Sequence, residues 1–187
     1  RVTTEVTAID PANKTITAVE QSTGKLYNET YDKLVLSPGA EPVRPPLPGI
    51  NSDGIFTLRN VKDTDYIKAH VQKKQVKKAI VIGAGFIGLE MAENFRDLGL
   101  EVTIIEMITQ VMAPVDYPVA AIVQQHIRSK GVDLRLNTAV TGFSKLGEQI
   151  EVSLNNGEVL TADMVILSIG VRPDTRLAVQ DKKKIGT

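Results

Sequence analysis

Cysteine and tryptophan are absent from this 187-residue sequence, and so is any excess of charge of one sign. Without cysteine, the sequence can form no disulfide, no thiolate metal site and no cysteine nucleophile. Its 22 basic and 22 acidic residues give no electrostatic reason to expect a nucleic-acid or anionic-membrane partner. No apolar run approaches the roughly 18 residues that would span a bilayer. What is present, 42% hydrophobic and 24% charged residues, is typical of an ordinary globular protein.

The two histidines form no recognisable catalytic or metal-binding pattern. His70 lies beside lysines and His126 lies at the rim of an apolar stripe, and neither shares a motif with a serine or cysteine nucleophile. We therefore predict no catalytic residue and no metal site in the chain. The sequence starts at Arg1 within a strand-like alternation and stops at Thr187 without a structural terminator, and we interpret it as a segment of a longer protein.

The hydrophobic pattern predicts β structure towards both ends of the chain, around a central β/α alternation. Strands of period two are expected over residues 2–9, 15–20 and 26–31. Residues 33–36 form a continuous apolar strand of the kind that is buried on both faces. Five prolines between residues 37 and 49 predict a stiff linker. Further strands are predicted over residues 79–82, 101–105, 132–136, 139–145, 149–154, 159–162 and 164–167, and helices over residues 63–71, 86–99 and 116–131.

For two of the predicted helices, the sequence also predicts which side chains face inward. The helix over residues 63–71 is expected to be N-capped by Asp63 or Thr64, with Ile67 and Val71 facing inward. The helix over residues 86–99 is expected to bury a stripe spaced at four, four and three residues. The members of this stripe are Ile87, Met91, Phe95 and Leu98.

The chain contains an internal repeat. Residues 34–42 align with residues 165–173 at a constant offset of 131, and Asp32 aligns with Asp163. Each copy follows a hairpin whose turn contains a glycine. A strand, a glycine motif and a helix precede the hairpin of the second copy, whereas the chain holds no counterpart before the first. We infer a protein with two similar dinucleotide domains, of which the first is cut.

The strongest chemical signal is a glycine motif between a strand and a helix. The pattern Gly83-x-Gly85-x-x-Gly88 directly follows a β-branched strand. Gly83 allows the tight turn, Gly85 allows close approach of a diphosphate, and Gly88 allows the helix to pack closely on the strand. The helix N–H groups and the positive end of its dipole then face the diphosphate. The alternative is a structural glycine turn in an unrelated α/β protein. We predict that the loop binds a dinucleotide through Gly83, Ala84, Gly85, Phe86, Ile87 and Gly88.

Glu106 ends the next strand, 18 residues after Gly88. At this position a carboxylate accepts hydrogen bonds from both hydroxyls of the adenosine ribose and repels a 2′-phosphate. The following residues, 107–109, include no arginine or lysine that could hold such a phosphate. The pattern therefore favours NAD(H) over NADP(H). The alternative is a solvated charge at the end of a strand.

Three further residues are weaker candidates for cofactor binding. Gly170 ends the last parallel strand, at the sheet edge where open α/β sheets bind ligands, although it is equally typical of a simple strand exit. Glu90 could bind the nicotinamide carboxamide, and its alternative is a solvated surface charge. Phe86 could cover the nicotinamide site, and its alternative is ordinary packing.

Four segments of the sequence resemble the flavin-dependent pyridine nucleotide–disulfide oxidoreductases. They are residues 31–40, 56–60, 83–94 and 166–173. The closest branch is the group of coenzyme A-disulfide reductases, NADH oxidases and persulfide reductases. The resemblance covers essentially the whole chain, while the same central domain serves several substrates within the branch.

The resemblance implies a Rossmann-like dinucleotide-binding domain, with a parallel sheet and a β-meander, preceded by a truncated β-rich remnant of an FAD domain. It implies that residues 1–50 are this remnant, residues 51–61 a linker and residues 62–187 the NAD(H)-binding domain. Relatives place FAD near the positions of Val6, Ser37 and Gly39. Without a diphosphate loop for FAD in this chain, these three residues are not expected to retain it.

The implied function is to dock NADH for hydride transfer to FAD, from which electrons pass to a disulfide, a persulfide or oxygen. The family's redox cysteine and its C-terminal dimer domain lie outside this chain, so the segment alone is expected to be inactive. The whole protein is expected to be a cytoplasmic homodimer that serves cell redox homeostasis. The alternative function is a non-catalytic NAD(H)-binding or redox-sensing module, which the incomplete repeat disfavours.

Overall fold

A computed structural model describes residues 1–180 of the chain. Over these residues the chain forms thirteen strands and four helices. In chain order they are β1 Thr4–Asp10, β2 Thr15–Glu20, β3 Leu26–Thr30, β4 Ala40–Pro42, β5 Ile55–Thr57, α1 Val61–Lys74, β6 Lys78–Ile82, α2 Phe86–Asp97, β7 Glu101–Ile105, α3 Tyr117–Ser129, β8 Asp133–Arg135, β9 Val140–Leu146, β10 Gln149–Leu154, β11 Val159–Ala162, β12 Met164–Leu167, β13 Val171–Pro173 and α4 Arg176–Gln180.

The chain divides into two compact units. Among the described residues, the smaller unit comprises Arg1–Glu41 and residues 173–180. Its strands β1, β2 and β3 form an antiparallel sheet in sequence order, as expected for two successive hairpins. The sheet has little interior, since Ala18 is its one buried hydrophobic residue among those the structure describes.

The larger unit, Pro42–Arg172, is built on a parallel sheet. Its five strands lie in the order β5-β12-β6-β7-β8, and every neighbouring pair is parallel. The three strands β9, β10 and β11 form a separate antiparallel meander. This arrangement confirms the predicted Rossmann-like α/β class with a parallel sheet and a β-meander.

The central strands of the parallel sheet are buried on both faces. In β6, Ala79 and Val81 belong to a hydrophobic cluster that also contains residues of α1, α2 and α3. Ile80 and Ile82, which alternate with them, belong to a second cluster that contains the meander residues Ile150 and Val152. Because side chains alternate across a strand, the helices cover one face of the sheet and the meander covers the other.

The predicted N-cap of α1 and two of the four predicted stripe residues of α2 require correction, whereas Ile67 and Val71 of α1 pack in or against the core as predicted. Asn60, not Asp63 or Thr64, is the N-cap of α1, and Asp63 accepts the reciprocal hydrogen bond from the backbone as the second half of a capping box. In α2, Ile87 and Leu98 are 41% and 65% exposed. The buried face consists of Gly88, Ala92 and Phe95, because the two small residues let the helix pack closely on the sheet. The inward Ile67 of α1 is confirmed, with 4% of its surface exposed.

The predicted buried strand over residues 33–36 does not form. Leu34, Val35 and Leu36 are exposed, Val35 by 85%. A strand that is buried on both faces needs a neighbouring strand on each side. Within the described residues, the sheet of the smaller unit contains only β1, β2 and β3.

The segment 51–61 contains structure that the sequence did not predict. Residues Ile55–Thr57 form β5, which pairs in parallel with β12 at the edge of the sheet. Three residues are too few to display a strand periodicity, so the sequence signal was absent. Of the predicted NAD(H)-binding domain, residues 181–187 lie outside the described residues. No described helix combines the length and the apolar character that crossing a bilayer requires.

Candidate dinucleotide-binding cleft

A cleft of about 660 Å³ opens at the carboxyl ends of the parallel strands. Strands β6, β7 and β12 each end at its wall, and the residues that follow each strand also line it. Open α/β sheets bind ligands at this edge. The lining residues are Pro42, Pro45, Leu47, Leu58, Ile82, Gly83, Ala84, Gly85, Phe86, Ile87, Ile105, Glu106, Met107, Ile108, Ala113, Pro114, Thr138, Ala139, Val140, Phe143, Leu167, Ser168, Ile169, Gly170 and Val171.

Each glycine of the loop between β6 and α2 meets a different constraint. Gly83 has a φ of +101°, and a Cβ there would lie 2.4 Å from the backbone oxygen of Ser168. A Cβ on Gly88 would lie 2.0 Å from the backbone oxygen of Gly83. In contrast, a Cβ on Gly85 would meet nothing within 4 Å. Gly83 and Gly88 are therefore required by packing, while Gly85 faces open space that a ligand could occupy.

The first turn of α2 is open to an anion. Gly85 is the N-cap and supplies no side-chain hydrogen bond, and the turn contains no acidic residue. By comparison, the capping box of Asn60 and Asp63 closes the first turn of α1. Unpaired N–H groups and the positive end of the helix dipole together favour a bound phosphate or diphosphate.

Glu106 is the one charged residue that lines the cleft within the described chain. Its half-buried carboxylate accepts hydrogen bonds from the backbone N–H of Ala84, at 2.8 Å to Oε2, and of Ile108, at 3.1 Å to Oε1. These two bonds fix the orientation of the carboxylate. Since a carboxylate has about four acceptor positions, it retains capacity for two ribose hydroxyls.

Ala84, the middle residue of the Gly83–Gly85 turn, is held on both sides. It is fully buried, its N–H donates to Glu106, and its carbonyl oxygen accepts from the N–H of Met112 at 2.9 Å. Met112 belongs to the segment of residues 107–115 between β7 and α3, which we call the rim loop. Four rim-loop residues also line the cleft, namely Met107, Ile108, Ala113 and Pro114.

The structure brings together most of the residues predicted to bind the cofactor. Those that line the cleft are Gly83, Ala84, Gly85, Phe86, Ile87, Glu106 and Gly170. Gly88 packs beneath the loop, and Glu90 is exposed on α2 and is not a lining residue. Val6, Ser37 and Gly39 belong to the smaller unit and do not line the cleft.

Sequence reasoning missed Ser168 and the rim loop. Ser168 Oγ lies 2.9 Å from the carbonyl oxygens of both Ile82 and Gly83, so it joins the end of β12 to the glycine loop. The repeat aligned Ser168 with Ser37 and could have drawn attention to it. The rim loop gave no motif, because its role depends on backbone hydrogen bonds.

The sequence profile of the pyridine nucleotide-disulphide oxidoreductases matches residues 1–187. The chain belongs to this family. Among curated members of the family, an NADH oxidase of Methanocaldococcus jannaschii is 37% identical over 98% of this chain and 41% of its own length. A coenzyme A disulfide reductase of Staphylococcus aureus is 33% identical over 97% of this chain and 40% of its own length. The chain therefore spans about two fifths of these relatives.

Solved structures of the family superpose closely on the chain. Reduced CoADR-RHD of Bacillus anthracis gives a TM-score of 0.91 at 46% identity, over 98% of this chain and 33% of that one. An NAD-dependent persulfide reductase from A. fulgidus gives 0.88 at 36% identity, over 98% and 34%. A water-forming NADH oxidase from Lactobacillus brevis bound to NADH gives 0.85 at 33% identity, over 98% and 40%. The predicted resemblance to this branch of the oxidoreductase family is thus confirmed.

Proposed function

We propose that this chain is the NAD(H)-docking part of an FAD-dependent oxidoreductase. The observation that carries the proposal is the joint geometry of the open α2 N-terminus and Glu106 at one edge of the sheet. The fit is supported by the open space at Gly85 and by the hydrogen bonds that orient the Glu106 carboxylate. Similarity to an NADH oxidase and to an NAD-dependent persulfide reductase supports the same cofactor.

In this proposal each end of the cleft holds a different part of the cofactor. The N–H groups of the first turn of α2 bind the diphosphate, and the carboxylate of Glu106 accepts from the adenosine ribose. The nicotinamide half extends towards residues 167–171, where the cleft is lined by apolar side chains and backbone. Phe86, which is 59% exposed, is available to pack against it. When bound, NADH supplies a hydride, and this chain supplies the positioning.

The rest of the enzyme is proposed from the family resemblance. We assign residues 1–50 to the remnant of an FAD domain, residues 51–61 to a linker that also contributes β5 to the parallel sheet, and residues 62–187 to the NAD(H)-binding domain. In the whole protein FAD accepts the hydride, and a disulfide, a persulfide or oxygen accepts the electrons. The sequence holds a single glycine motif of the dinucleotide type, so we expect this chain alone to bind no FAD and to be inactive. We likewise propose a cytoplasmic homodimer.

The test of the proposal is calorimetric titration of the chain with NADH and with NADPH. We expect NADH to bind at least about tenfold more tightly, because Glu106 repels the 2′-phosphate. Glu106→Ala should weaken NADH binding and narrow the difference between the two cofactors. Glu101→Ala, at the opposite end of β7 and exposed, is the matched control and should change neither affinity. Equal or tighter binding of NADPH by the unchanged chain would refute the specificity assigned to Glu106.

A second measurement separates the enzyme from a redox-sensing module. We expect the full gene product to be a yellow flavoprotein with a cysteine in the region that precedes this segment. A colourless, cysteine-free protein that still binds NADH would contradict the oxidoreductase and favour the sensor.

A further inference from the structure

Gln124 is the one buried polar side chain among the described residues. Only 6% of its surface is exposed, although glutamine is mostly a surface residue. It lies in the middle of α3, where its side-chain Oε1 accepts a hydrogen bond from the backbone N–H of Val111 at 3.1 Å. Val111 is itself fully buried, so no solvent replaces this acceptor if it is removed.

The bond to Gln124 fixes the centre of the rim loop. Residues on either side of Val111 are tied within the loop, since Gln110 Nε2 donates to the carbonyl of Val115, and the N–H of Val115 donates to the carbonyl of Met112. Met112 has a φ of +51°, a left-handed conformation that a non-glycine residue adopts only when its surroundings impose it. The residue directly before it, Val111, is held by the hydrogen bond to Gln124.

The rim loop is in turn hydrogen-bonded to the glycine turn. The N–H of Met112 donates to the carbonyl of Ala84 at 2.9 Å, while the N–H of Ala84 donates to Glu106. Ala84 directly precedes Gly85, the N-cap whose open space faces the cleft. Two hydrogen bonds, joined by the peptide link between Val111 and Met112, therefore connect Gln124 to Ala84.

We propose that Gln124 is a positioning residue for cofactor binding. By holding the rim loop, it fixes the peptide of Ala84 and thereby the orientation of the N–H groups that receive the diphosphate. It does so without touching the ligand, since it does not line the cleft. This inference rests on the proposed NAD(H)-docking function.

The experiment compares Gln124→Met with Gln125→Met. Methionine keeps the length and the unbranched shape of glutamine but removes the acceptor oxygen. Gln125 is the adjacent residue of the same helix and is exposed, which makes it a matched control. Affinities for NADH and for ADP-ribose are measured by calorimetry at a temperature well below the unfolding transition of each variant.

We expect Gln124→Met to weaken NADH and ADP-ribose by the same factor, about tenfold, because both carry the diphosphate. Gln125→Met should leave both affinities unchanged. A Gln124→Met chain that is less stable but binds both ligands normally would overturn the proposal, because Gln124 would then stabilise the fold without affecting the binding site.

Hydrogen exchange on the unchanged chain provides a test that does not depend on a variant folding. If the rim loop and the cofactor site are coupled, linkage requires that the ligand stabilise the loop in return. Saturating NADH should therefore slow exchange of the Val111 amide. The amide of Asp163, bonded to the carbonyl of Lys78 at the other end of the sheet, should show no corresponding change.

The two levels of failure are distinguishable. Binding of NADH without any change at the Val111 amide would overturn the role of Gln124 and leave the proposed function standing. Failure of the unchanged chain to bind either NADH or ADP-ribose would overturn the proposed function, and the inference about Gln124 with it.

Discussion

The two copies of the internal repeat have similar sequences but differ in structure over their first residues, 34–36 and 165–167. In the second copy, Val165 and Ile166 are completely buried in β12, which pairs in parallel with β5 on one side and β6 on the other. In the first copy, the aligned residues 34 and 35 form no strand, and Val35 is 85% exposed.

This difference shows what a buried-strand pattern does and does not specify. A continuous apolar run makes a segment suitable for the centre of a parallel sheet, but the neighbouring strands complete the structure. For the aspartate and the serine of the repeat, too, the surrounding structure decides whether the side chain has a partner. Asp163 and Ser168 have hydrogen-bond partners in the second copy, whereas the aligned Asp32 and Ser37 are exposed. A leucine, an aspartate and a serine thus each occur once with packing or hydrogen-bond partners and once at an exposed position, and each pair makes a matched experiment.

The largest effect is expected at the leucine pair, Leu167 and Leu36. Leu167 is 3% exposed and packs in the cluster beneath the meander, whereas Leu36 is 46% exposed. We expect Leu167→Ala to lower the free energy of unfolding by about 2 to 5 kcal/mol, because it removes buried methyl groups and leaves a cavity. Leu36→Ala should change it by less than about 0.5 kcal/mol.

Urea denaturation followed by far-ultraviolet circular dichroism measures both leucine variants under the same conditions. A cost of more than about 2 kcal/mol for Leu36→Ala would mean that the first copy is also packed in a core, and the contrast between the copies would fail.

The fold of the larger unit could be predicted from sequence because its signals are local. The strand–glycine–helix unit, the buried strands and the meander each carry their own periodicity or turn residues. The exposure of residues 33–36 could not be predicted in this way, since it depends on strands that the local pattern does not contain. The edge strand β5 was missed for the complementary reason, because its neighbour β12 supplies the pairing that three residues cannot signal.

In the candidate site, too, some features could be predicted from local sequence patterns and others could not. The glycines and Glu106 could be found from spacing, because a close diphosphate approach restricts residue type directly. The link from Gln124 to Ala84 runs through backbone N–H and carbonyl groups, which every residue type except proline offers. No sequence pattern marks such a link, and only the folded chain shows it.

A smaller effect is expected at the aspartate pair, Asp163 and Asp32. Asp163 accepts hydrogen bonds from the backbone N–H groups of Lys77 and Lys78, at 2.8 and 2.9 Å, and from Gln149 Nε2 at 2.9 Å. We expect Asp163→Asn to destabilise the fold by about 1 to 3 kcal/mol, because the amide cannot accept all three bonds. Asp32→Asn, at an exposed position, should change stability by less than about 0.5 kcal/mol.

The pH dependence gives an independent check on Asp163. Partial burial raises the pKa of this carboxyl, but the hydrogen bonds from Gln149, Lys77 and Lys78 outweigh it, and the pKa lies below its ordinary value. A depressed folded-state pKa contributes stability above the unfolded pKa of roughly 3.9, and this contribution is lost as the pH falls through the folded value. The difference in stability between the unchanged chain and Asp163→Asn should therefore shrink below about pH 4. A difference that stays constant into acid would argue against the charged, hydrogen-bonded carboxylate.

The smallest effect is expected at the serine pair, Ser168 and Ser37. The hydroxyl of Ser168 lies 2.9 Å from two carbonyl oxygens but has one hydrogen, so it donates to one of them at a time or shares the hydrogen between them. The carbonyl of Ile82 also accepts from the backbone N–H of Ser168 at 2.8 Å and keeps that donor after substitution. We therefore expect Ser168→Ala to cost about 0.5 to 1.5 kcal/mol, less than the change at Asp163.

Ser37→Ala, at an exposed position, should be indistinguishable from the unchanged chain in the same urea titration. Substitutions of Ser168 also test whether its hydroxyl holds the glycine loop through a hydrogen bond or only fills space beside it. The site is tight, since a Cβ on Gly88 would lie 2.7 Å from Ser168 Oγ. If the hydroxyl only fills space there, Ser168→Ala will be neutral and Ser168→Cys, with its larger sulfur, will be costly. If the hydrogen bond stabilises the loop, both substitutions will destabilise the chain. The two copies of the repeat will then differ in the contribution of the serine hydroxyl to stability, as well as in the burial of the leucine and the hydrogen bonding of the aspartate.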